Sequence, residues 1–268
     1  MKVASIQMVS GTQLEANLQH ARKALEHAAQ AGAELAVLPE YFCLMGRQDT
    51  DKLALAEQPG RGPIQAMLQQ AARELGLWVV GGTLPMATTD PHHVANTTLV
   101  WNPQGDTVAR YDKIHLFRFD NGRERYDEAA VLQAGDTPTT FDLTSREGQQ
   151  WRVGLSICYD LRFPELYRQM QADVLLVPAA FTYTTGQAHW GTLLRARAIE
   201  NLAYVVASAQ GGTHENGRQT WGHSVVYGPW GEPLAEHTEG PGMALATLAH
   251  SQLQQVRTQL PALQHRKL

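Results

Sequence analysis

Cysteine and basic residues are both in short supply in this chain of 268 residues. There are only two cysteines, Cys43 and Cys158. Two cysteines so far apart do not make a disulfide framework, so we expect a reducing compartment and a cytoplasmic protein. The 22 Lys and Arg residues are outnumbered by 26 Asp and Glu residues, for a net charge of -4. No basic cluster interleaves with aromatic residues, which argues against a nucleic acid partner.

Long apolar runs are missing as well. The longest, residues 174–181, is far shorter than the roughly 20 residues that span a bilayer. Near the start of the chain, Ser5 and Gln7 interrupt any apolar core of a signal peptide or anchor. We therefore expect no association with a membrane.

The motifs of metal and nucleotide chemistry are also lacking. The 11 histidines occur without a His-Glu-x-x-His or Cys-x-x-Cys spacing. No Gly-x-Gly-x-x-Gly or P-loop sequence is found. Residues 154–158 (GLSIC) resemble the elbow of a serine hydrolase, except that Cys158 replaces the required glycine. We expect no metal and no organic cofactor.

What the chain does have is the composition and periodicity of a folded α/β protein. Apolar residues make up 43% of it, and no repeat or linker divides it, so we predict a single domain over residues 1–268. Strands and helices alternate at first, and turn sequences at residues 102–105 and 228–231 then predict antiparallel hairpins and a mixed sheet. The predicted strands are residues 3–8, 35–38, 77–80, 95–101, 107–111, 151–157, 174–177 and 204–209, and the predicted helices are residues 14–28, 63–75, 164–171 and 189–202.

Cys158 is the first candidate for chemistry. It ends the strand predicted over residues 151–157, and a polar turn follows it. In open α/β sheets, ligands bind at this carboxyl edge of the strands. A lone cysteine after an apolar strand is, however, also often a small buried hydrophobic residue, and we interpret Cys43 in that way.

Three charged residues come at comparable places. Glu40 follows the buried strand over residues 35–38, where a carboxylate partly removed from water suits a general base. Lys113 follows the strand over residues 107–111 and suits the stabilisation of an oxyanion. Glu128 lies in a charged loop. Taken singly, each of these charges is also explained by a solvated surface.

A carboxylate, a lysine and a cysteine in this order resemble the nitrilase or carbon-nitrogen hydrolase superfamily. The local sequences agree with it at residues 38–40 (LPE), 111–117 (YDKIHLF) and 157–165 (ICYDLRFPE). Within the superfamily, the chain looks most like the amidases of deaminated glutathione. The segments that carry this likeness are residues 188–190, 194–200, 204–207, 222–224, 229–231 and 260–266.

The resemblance implies an α-β-β-α sandwich with two mixed sheets, assembled into a homodimer or a higher homo-oligomer. It implies Cys158 as nucleophile, Glu40 as general base, Lys113 as oxyanion stabiliser and Glu128 as a second, positioning carboxylate. The backbone N–H of Tyr159 is expected to share the oxyanion. The helix over residues 164–171 offers three apolar residues to a second subunit or to the core, namely Leu166, Tyr167 and Met170.

Three functions stay open at this point. The first is hydrolysis of deaminated glutathione to 2-oxoglutarate and cysteinylglycine through a cysteine thioester. The second is an ω-amidase that acts on 2-oxoglutaramate or a similar small keto-acid amide, and the third is an inactive relative that serves as a binding or scaffold protein. Polar residues after the strand over residues 174–177 are expected to border the substrate pocket, and we predict Phe181, Thr182 and Tyr183 as substrate-binding.

Overall fold

The computed structural model of the protein describes residues 1–267. In this described part of the chain, eighteen strands form the sheets. They are β1 (Lys2–Gln7), β2 (Leu35–Val37), β3 (Trp78–Val80), β4 (Leu84–Ala87), β5 (Val94–Trp101), β6 (Thr107–Asp112), β7 (Arg118–Asp120), β8 (Arg125–Asp127), β9 (Leu132–Gln133), β10 (Thr139–Thr144), β11 (Gln150–Leu155), β12 (Val174–Ala179), β13 (Tyr204–Ala209), β14 (Gly211–Thr213), β15 (Gln219–Trp221), β16 (Ser224–Tyr227), β17 (Pro233–His237) and β18 (Gly242–Thr247).

Within residues 1–267, five α-helices and four short 3₁₀ helices connect or cover these strands. The α-helices are α1 (Leu14–Gln30), α2 (Pro63–Leu75), α3 (Pro164–Met170), α4 (Tyr183–Asn201) and α5 (His250–Gln259). The 3₁₀ helices are Asp49–Leu55, Glu128–Ala130, Cys158–Arg162 and Ala262–His265. No helix within residues 1–267 combines the length and the apolar character needed to cross a bilayer.

Two large mixed sheets form the centre of the molecule. The first has eight strands in the order β18-β1-β2-β3-β5-β4, with β6 and β9 also paired to β5. The second has six strands in the order β10-β11-β12-β13-β16-β17. In each sheet three neighbouring strands run parallel, β1-β2-β3 and β11-β12-β13, and antiparallel strands extend them. The carboxyl ends of the parallel strands carry the loops described below.

Alternation along β1 explains how the layers form. Val3 packs into the core that both sheets share, while Ala4 and Ile6 face the helices α1 and α2. Ser5 donates its hydroxyl to the carbonyl of Ala207 in the second sheet at 2.6 Å. Alternate side chains of β1 point to opposite faces of its sheet. One face thus packs against the second sheet and the other against the helices. The helices α3 and α4 pack on the second sheet, so the architecture is the α-β-β-α sandwich that the family resemblance implies.

Helices α1 and α2 follow from the local sequence. Residues at helical spacing form the buried stripe of α1, among them Ala21, Leu25 and Ala28. Pro63 occupies the first turn of α2, where its missing N–H costs nothing, and Gly76 ends the helix with a φ of 63°. Both helices lie where the apolar spacing predicts them.

The structure corrects one sequence prediction and decides between two alternatives for another. Helix α4 begins at Tyr183 rather than residue 189, because the Thr182 side chain accepts a hydrogen bond from the Thr185 N–H and caps an earlier start. The apolar residues of α3 are buried within this chain, with 4% of Leu166, 1% of Tyr167 and 2% of Met170 exposed. These three residues belong to the core and are not available to a second subunit.

Candidate active site

Four residues from distant parts of the chain meet at one edge of the sandwich: Glu40, Lys113, Glu128 and Cys158. Glu40 lies three residues beyond β2, Lys113 directly follows β6, and Cys158 lies three residues beyond β11. Glu128 begins a 3₁₀ helix after β8. The four residues with side chains predicted to take part in the chemistry therefore lie in one cluster, joined by the hydrogen bonds described below.

Cys158 lies on a strained turn between strand β11 and helix α3. Its φ of 47° is in the left-handed region, which residues with a side chain adopt at a cost. The strain is held by Asp160, whose buried carboxylate accepts hydrogen bonds from the Ile157 N–H at 2.9 Å and the Tyr111 hydroxyl at 2.7 Å. Asp160 also accepts from the N–H of His115 at 3.0 Å. The turn of Cys158 is thereby joined to the segment that carries Lys113.

Glu40 is buried and fully hydrogen-bonded. One carboxylate oxygen accepts from Lys113 Nζ and from Asn96 Nδ2, both at 2.9 Å. The other accepts from the backbone N–H of Ala180 at 2.9 Å. The same carboxylate interacts with the thiol of Cys158. Only 1% of Glu40 is exposed, so its position next to the thiol is fixed.

Lys113 is shared between two carboxylates. Besides Glu40, its ammonium group donates to Oε1 and Oε2 of Glu128 at 2.9 and 2.8 Å. Glu128 accepts further from the Tyr41 hydroxyl at 2.8 Å and from the Phe117 N–H at 2.7 Å. Glu128 and Glu40 thus hold the ammonium group of Lys113 between them by hydrogen bonds.

Burial and charge set the protonation states of the cluster. Burial, together with the carboxylate of Glu40, raises the pKa of the Cys158 thiol, and Lys113 opposes this only in part. Burial alone would lower the pKa of Lys113, but the carboxylates of Glu128 and Glu40 outweigh it and raise that pKa. Burial would raise the pKa of Glu128, yet the ammonium of Lys113 lowers it. The free protein therefore holds a thiol, an ammonium and an ionised Glu128 at neutral pH.

A cleft opens over these residues. Aromatic rings and small polar groups line it, and so do two guanidinium groups. The lining residues are Glu40, Tyr41, Phe117, Glu128, Cys158, Tyr159, Arg162, Ala180, Phe181, Thr182, Thr185 and Arg218. The N–H of Tyr159 directly follows the nucleophile candidate on this wall. The cleft is partly apolar, as small-molecule sites usually are.

Of the three residues predicted to bind substrate, two line the cleft and one does not. Phe181 and Thr182 are part of its wall. Tyr183 instead lies on the outer surface, 46% exposed, with its ring edge-on to Trp221 at 5.1 Å. The reason is the early start of α4: within its first turn, Tyr183 lies away from the cleft while Thr185 lines it.

Several residues of the site gave no signal in the sequence. Asn96 lies in the middle of β5 and reaches Glu40 only because β5 passes next to it. Arg218 comes from the connection between β14 and β15, and no local pattern marks it. Among residues 1–267, no group of three or more His, Cys, Asp or Glu side chains is arranged to hold a metal ion.

Comparisons with known proteins agree with this geometry. The family model described as carbon-nitrogen hydrolase matches residues 2–258. A deaminated glutathione amidase of Synechocystis sp. is 42% identical over 269 residues, which cover 98% of this chain and 97% of that protein. The crystal structure of the C. elegans NitFhit protein superposes with a TM-score of 0.88 and 37% identity, over 99% of this chain and 65% of that longer one.

A third similar structure is that of an amidase whose active-site cysteine has been modified. A mutant amidase from Nesterenkonia sp. AN1, in which acrylamide has added to the active-site cysteine, has a TM-score of 0.79 and 28% identity. The alignment covers 97% of this chain and 98% of that one.

Proposed function

Since the chain belongs to the carbon-nitrogen hydrolase family, and is thus a hydrolase of carbon–nitrogen bonds other than peptide bonds, we propose that its substrate is deaminated glutathione. The products would be 2-oxoglutarate and cysteinylglycine. Two observations support the proposal: the identity of 42% with a deaminated glutathione amidase over almost the whole chain, and the buried cluster of Cys158, Glu40 and Lys113. The cluster supports the type of reaction, and the similarity to the deaminated glutathione amidase supports the choice of substrate.

In the first step, Cys158 attacks the amide carbon. A thiol is a weaker nucleophile than a thiolate, and the pKa of this thiol is raised by burial and by Glu40. Glu40 therefore takes the thiol proton as the bond to carbon forms. Its fixed position next to the sulfur makes it the general base of this step.

Negative charge then develops on the amide oxygen. Lys113 is protonated, because its pKa is raised by two carboxylates, and it supplies a fixed positive charge. The backbone N–H of Tyr159, a residue of the cleft wall that directly follows Cys158, is the second donor in this proposal. Each such donor typically lowers the barrier by about 3 kcal/mol. Because the lysine is already held by Glu40 and Glu128, it needs little reorganisation when the charge appears.

Collapse of the tetrahedral intermediate releases the amine. Protonated Glu40 donates its proton to the leaving nitrogen, and the thioester of Cys158 remains. Water then enters, Glu40 accepts one of its protons, and the resulting hydroxide attacks the thioester carbon. This second half-reaction releases 2-oxoglutarate, and Glu40 returns the proton that it took from water to the Cys158 sulfur.

Glu128 acts on Lys113 rather than on the substrate in this proposal. Both of its oxygens accept from the ammonium group, and the Tyr41 hydroxyl and Phe117 N–H fix its own position. It is a positioning residue, and it keeps the lysine charged and aligned.

The experiment is to measure kcat/KM for deaminated glutathione and for 2-oxoglutaramate on one preparation. We expect a clear preference for deaminated glutathione and loss of both activities in Cys158→Ser, with Cys43→Ser as the matched control that keeps them. A clear preference for 2-oxoglutaramate would replace the substrate but leave the cysteine mechanism intact. Near wild-type turnover in Cys158→Ser would contradict the mechanism itself.

We also propose that the protein associates into a homodimer or larger assembly. Its support is an exposed apolar surface on α4 and the β16–β17 turn, where Ile199 is 44% and Trp230 58% exposed. A cytoplasmic location stays a prediction from the scarcity of cysteine.

A further inference from the structure

Arg218 stands out among the residues of the cleft. It follows the turn between β14 and β15, and its guanidinium lies 4.7 Å from the centre of the Tyr126 ring. Its Nε atom is buried and, within residues 1–267, hydrogen-bonds no other group. Arg218 also forms no ion pair with any carboxylate of the described residues, although the residue is half-buried.

Two other arginines, Arg197 and Arg257, are paired with carboxylates, while Arg162, the second guanidinium on the cleft wall, contacts His189 Nδ1 at 3.3 Å. Arg197 donates to Glu200 at 2.8 Å and twice to the carbonyl of Leu161. Arg257 donates to Asp173 at 2.6 Å and to two carbonyl oxygens. This is the usual arrangement, because a guanidinium removed from water needs charged or polar partners. Arg218 differs from Arg197 and Arg257, because its Nε has no hydrogen-bond partner within residues 1–267 while the residue lines the cleft.

The balance of charges at the base of the cleft explains what the positive charge of Arg218 can do. Lys113 is already shared between Glu40 and Glu128, so two carboxylates face one ammonium group. An anionic substrate would be repelled there unless further positive charge were present. Arg162 and Arg218 on the cleft wall supply it, and the charge of Arg218 extends to the Tyr41 hydroxyl that donates to Glu128. The first turn of α4, at Thr182 and Thr185 on the same wall, adds the positive end of a helix.

We propose that Arg218 binds a carboxylate of the substrate and thereby makes the enzyme prefer anionic amides to neutral ones. This inference rests on the proposed function, since deaminated glutathione has one carboxylate on each side of the scissile amide. The guanidinium presents parallel N–H donors that match a carboxylate, and the Tyr126 ring keeps its plane fixed before binding. Arg218 is thus a specificity-determining residue that leaves the chemical step to the cluster below it.

The test compares Arg218→Gln with wild type on three substrates: deaminated glutathione, its dimethyl ester and 2-oxoglutaramate. We expect kcat/KM for deaminated glutathione to fall by about 10- to 100-fold, mainly through KM, as for a lost hydrogen-bonded ion pair. The value for the neutral ester should stay within about 2-fold. Arg125→Gln removes the same charge from the exposed neighbouring strand β8 and serves as the control.

The third substrate identifies which carboxylate is bound. A loss on both deaminated glutathione and 2-oxoglutaramate assigns Arg218 to the keto-acid carboxylate, which the two share. A loss on deaminated glutathione alone assigns it to the carboxylate of the peptide leaving group. No loss on either, or an equal loss on the neutral ester, overturns the proposal.

Failure of the proposed function gives a different result. If wild type prefers 2-oxoglutaramate, the substrate assignment fails, but the ratio of anionic to neutral turnover in Arg218→Gln still decides the role of the arginine. Arg218→Lys keeps the charge and loses the planar donor pair, so an intermediate loss is expected. It also supplies the decisive measurement if Arg218→Gln does not fold, since wild-type values in Arg218→Lys would then overturn the proposal.

Discussion

Glu128 connects the electrostatics of single residues with the stability of the protein. Burial alone would raise its pKa, but Lys113 and the hydrogen bonds from Phe117 and Tyr41 together hold the folded-state pKa below the ordinary value of 4.5. A carboxylate with a depressed pKa stabilises the folded state above its ordinary pKa, and this stabilisation is lost as the pH falls through the folded-state pKa. The contribution of Glu128 should therefore be present at neutral pH and disappear below about pH 4.5.

We expect the free energy of unfolding of wild type to fall more steeply below about pH 4.5 than that of Glu128→Gln. Urea titrations from pH 7 to pH 3 measure this, with Glu147→Gln as the control at an exposed turn. In Glu128→Gln, kcat should also fall by orders of magnitude, because Lys113 loses a charged partner. Parallel pH curves for wild type and Glu128→Gln would contradict this account.

Glu40 has two separable effects on Cys158. Its negative charge raises the thiol pKa, while its basicity serves the reaction. In Glu40→Gln, Lys113 becomes the dominant charge next to the sulfur, so the thiol pKa should fall. We expect the midpoint of the pH profile of alkylation by iodoacetamide to shift to lower pH, while kcat falls by orders of magnitude.

Cys43 is the internal control for that experiment. Burial raises its pKa to about 12, and only 1% of it is exposed, so peptide mapping should find it unmodified in both proteins. A midpoint that stays in place or moves to higher pH in Glu40→Gln would show that the carboxylate does not set the thiol pKa.

At the scale of elements, the loop that carries Glu40 depends on a glycine in a neighbouring connection. Gly82 has a φ of 51°, and a Cβ atom there would lie 2.1 Å from the carbonyl oxygen of Pro39. That carbonyl belongs to the backbone directly before Glu40, and a Cβ at position 82 would also lie 3.0 Å from the carbonyl of Leu38. A side chain at position 82 would therefore displace the general base.

We expect Gly82→Ala to lower both stability, by about 3 kcal/mol or more, and kcat. Gly76→Ala is the matched control, since its φ of 63° is similar but no atom lies within 4 Å of its Cβ position. It should cost only about 1 kcal/mol of backbone strain and leave kcat unchanged. Chemical denaturation and initial rates measure both quantities, and equal effects of the two substitutions would refute the role of Pro39.

Elements with a local signal could be predicted, and those that depend on distant contacts could not. The buried stripe of α1 and the turn at residues 102–105 are encoded within a few residues. The start of α4 was missed because residues 183–186 (YTTG) are weak helix formers, and Trp221 packs against Gly186 there. Strand β18 was missed because its partner, β1, lies at the other end of the chain.

The candidate site follows the same division. Each of Glu40, Lys113 and Cys158 comes after a strand that periodicity reveals, so their meeting at one edge could be predicted. Arg218 and Asn96 reach the cleft through the packing of whole strands, which no short sequence pattern encodes. The catalytic roles of the predicted residues stay predictions until the variants above are measured.

At the scale of the whole molecule, the shared core of the two sheets leaves some apolar surface outside it. The turn between β16 and β17 lies on α4, since a Cβ atom at Gly231 would be 2.6 Å from the Ile199 side chain. Trp230 and Ile199 therefore belong to one exposed apolar surface. Contiguous apolar patches on soluble proteins usually mark an interface, and the surface is on the outer helix layer, where a second copy could pack.

We expect light scattering at micromolar concentration to give at least twice the monomer mass of 29.6 kDa. Trp230→Glu should shift the protein towards the monomer, because it places a charge in the middle of the apolar surface. Val108→Glu is the control, since Val108 is 41% exposed on β6 and is not part of the α4 surface. A wild-type mass near 29.6 kDa would reject association altogether. A dimer that Trp230→Glu leaves intact would instead assign the interface to another face. The Cys158 cluster is complete within one chain, so Trp230→Glu and Val108→Glu should both keep wild-type kcat.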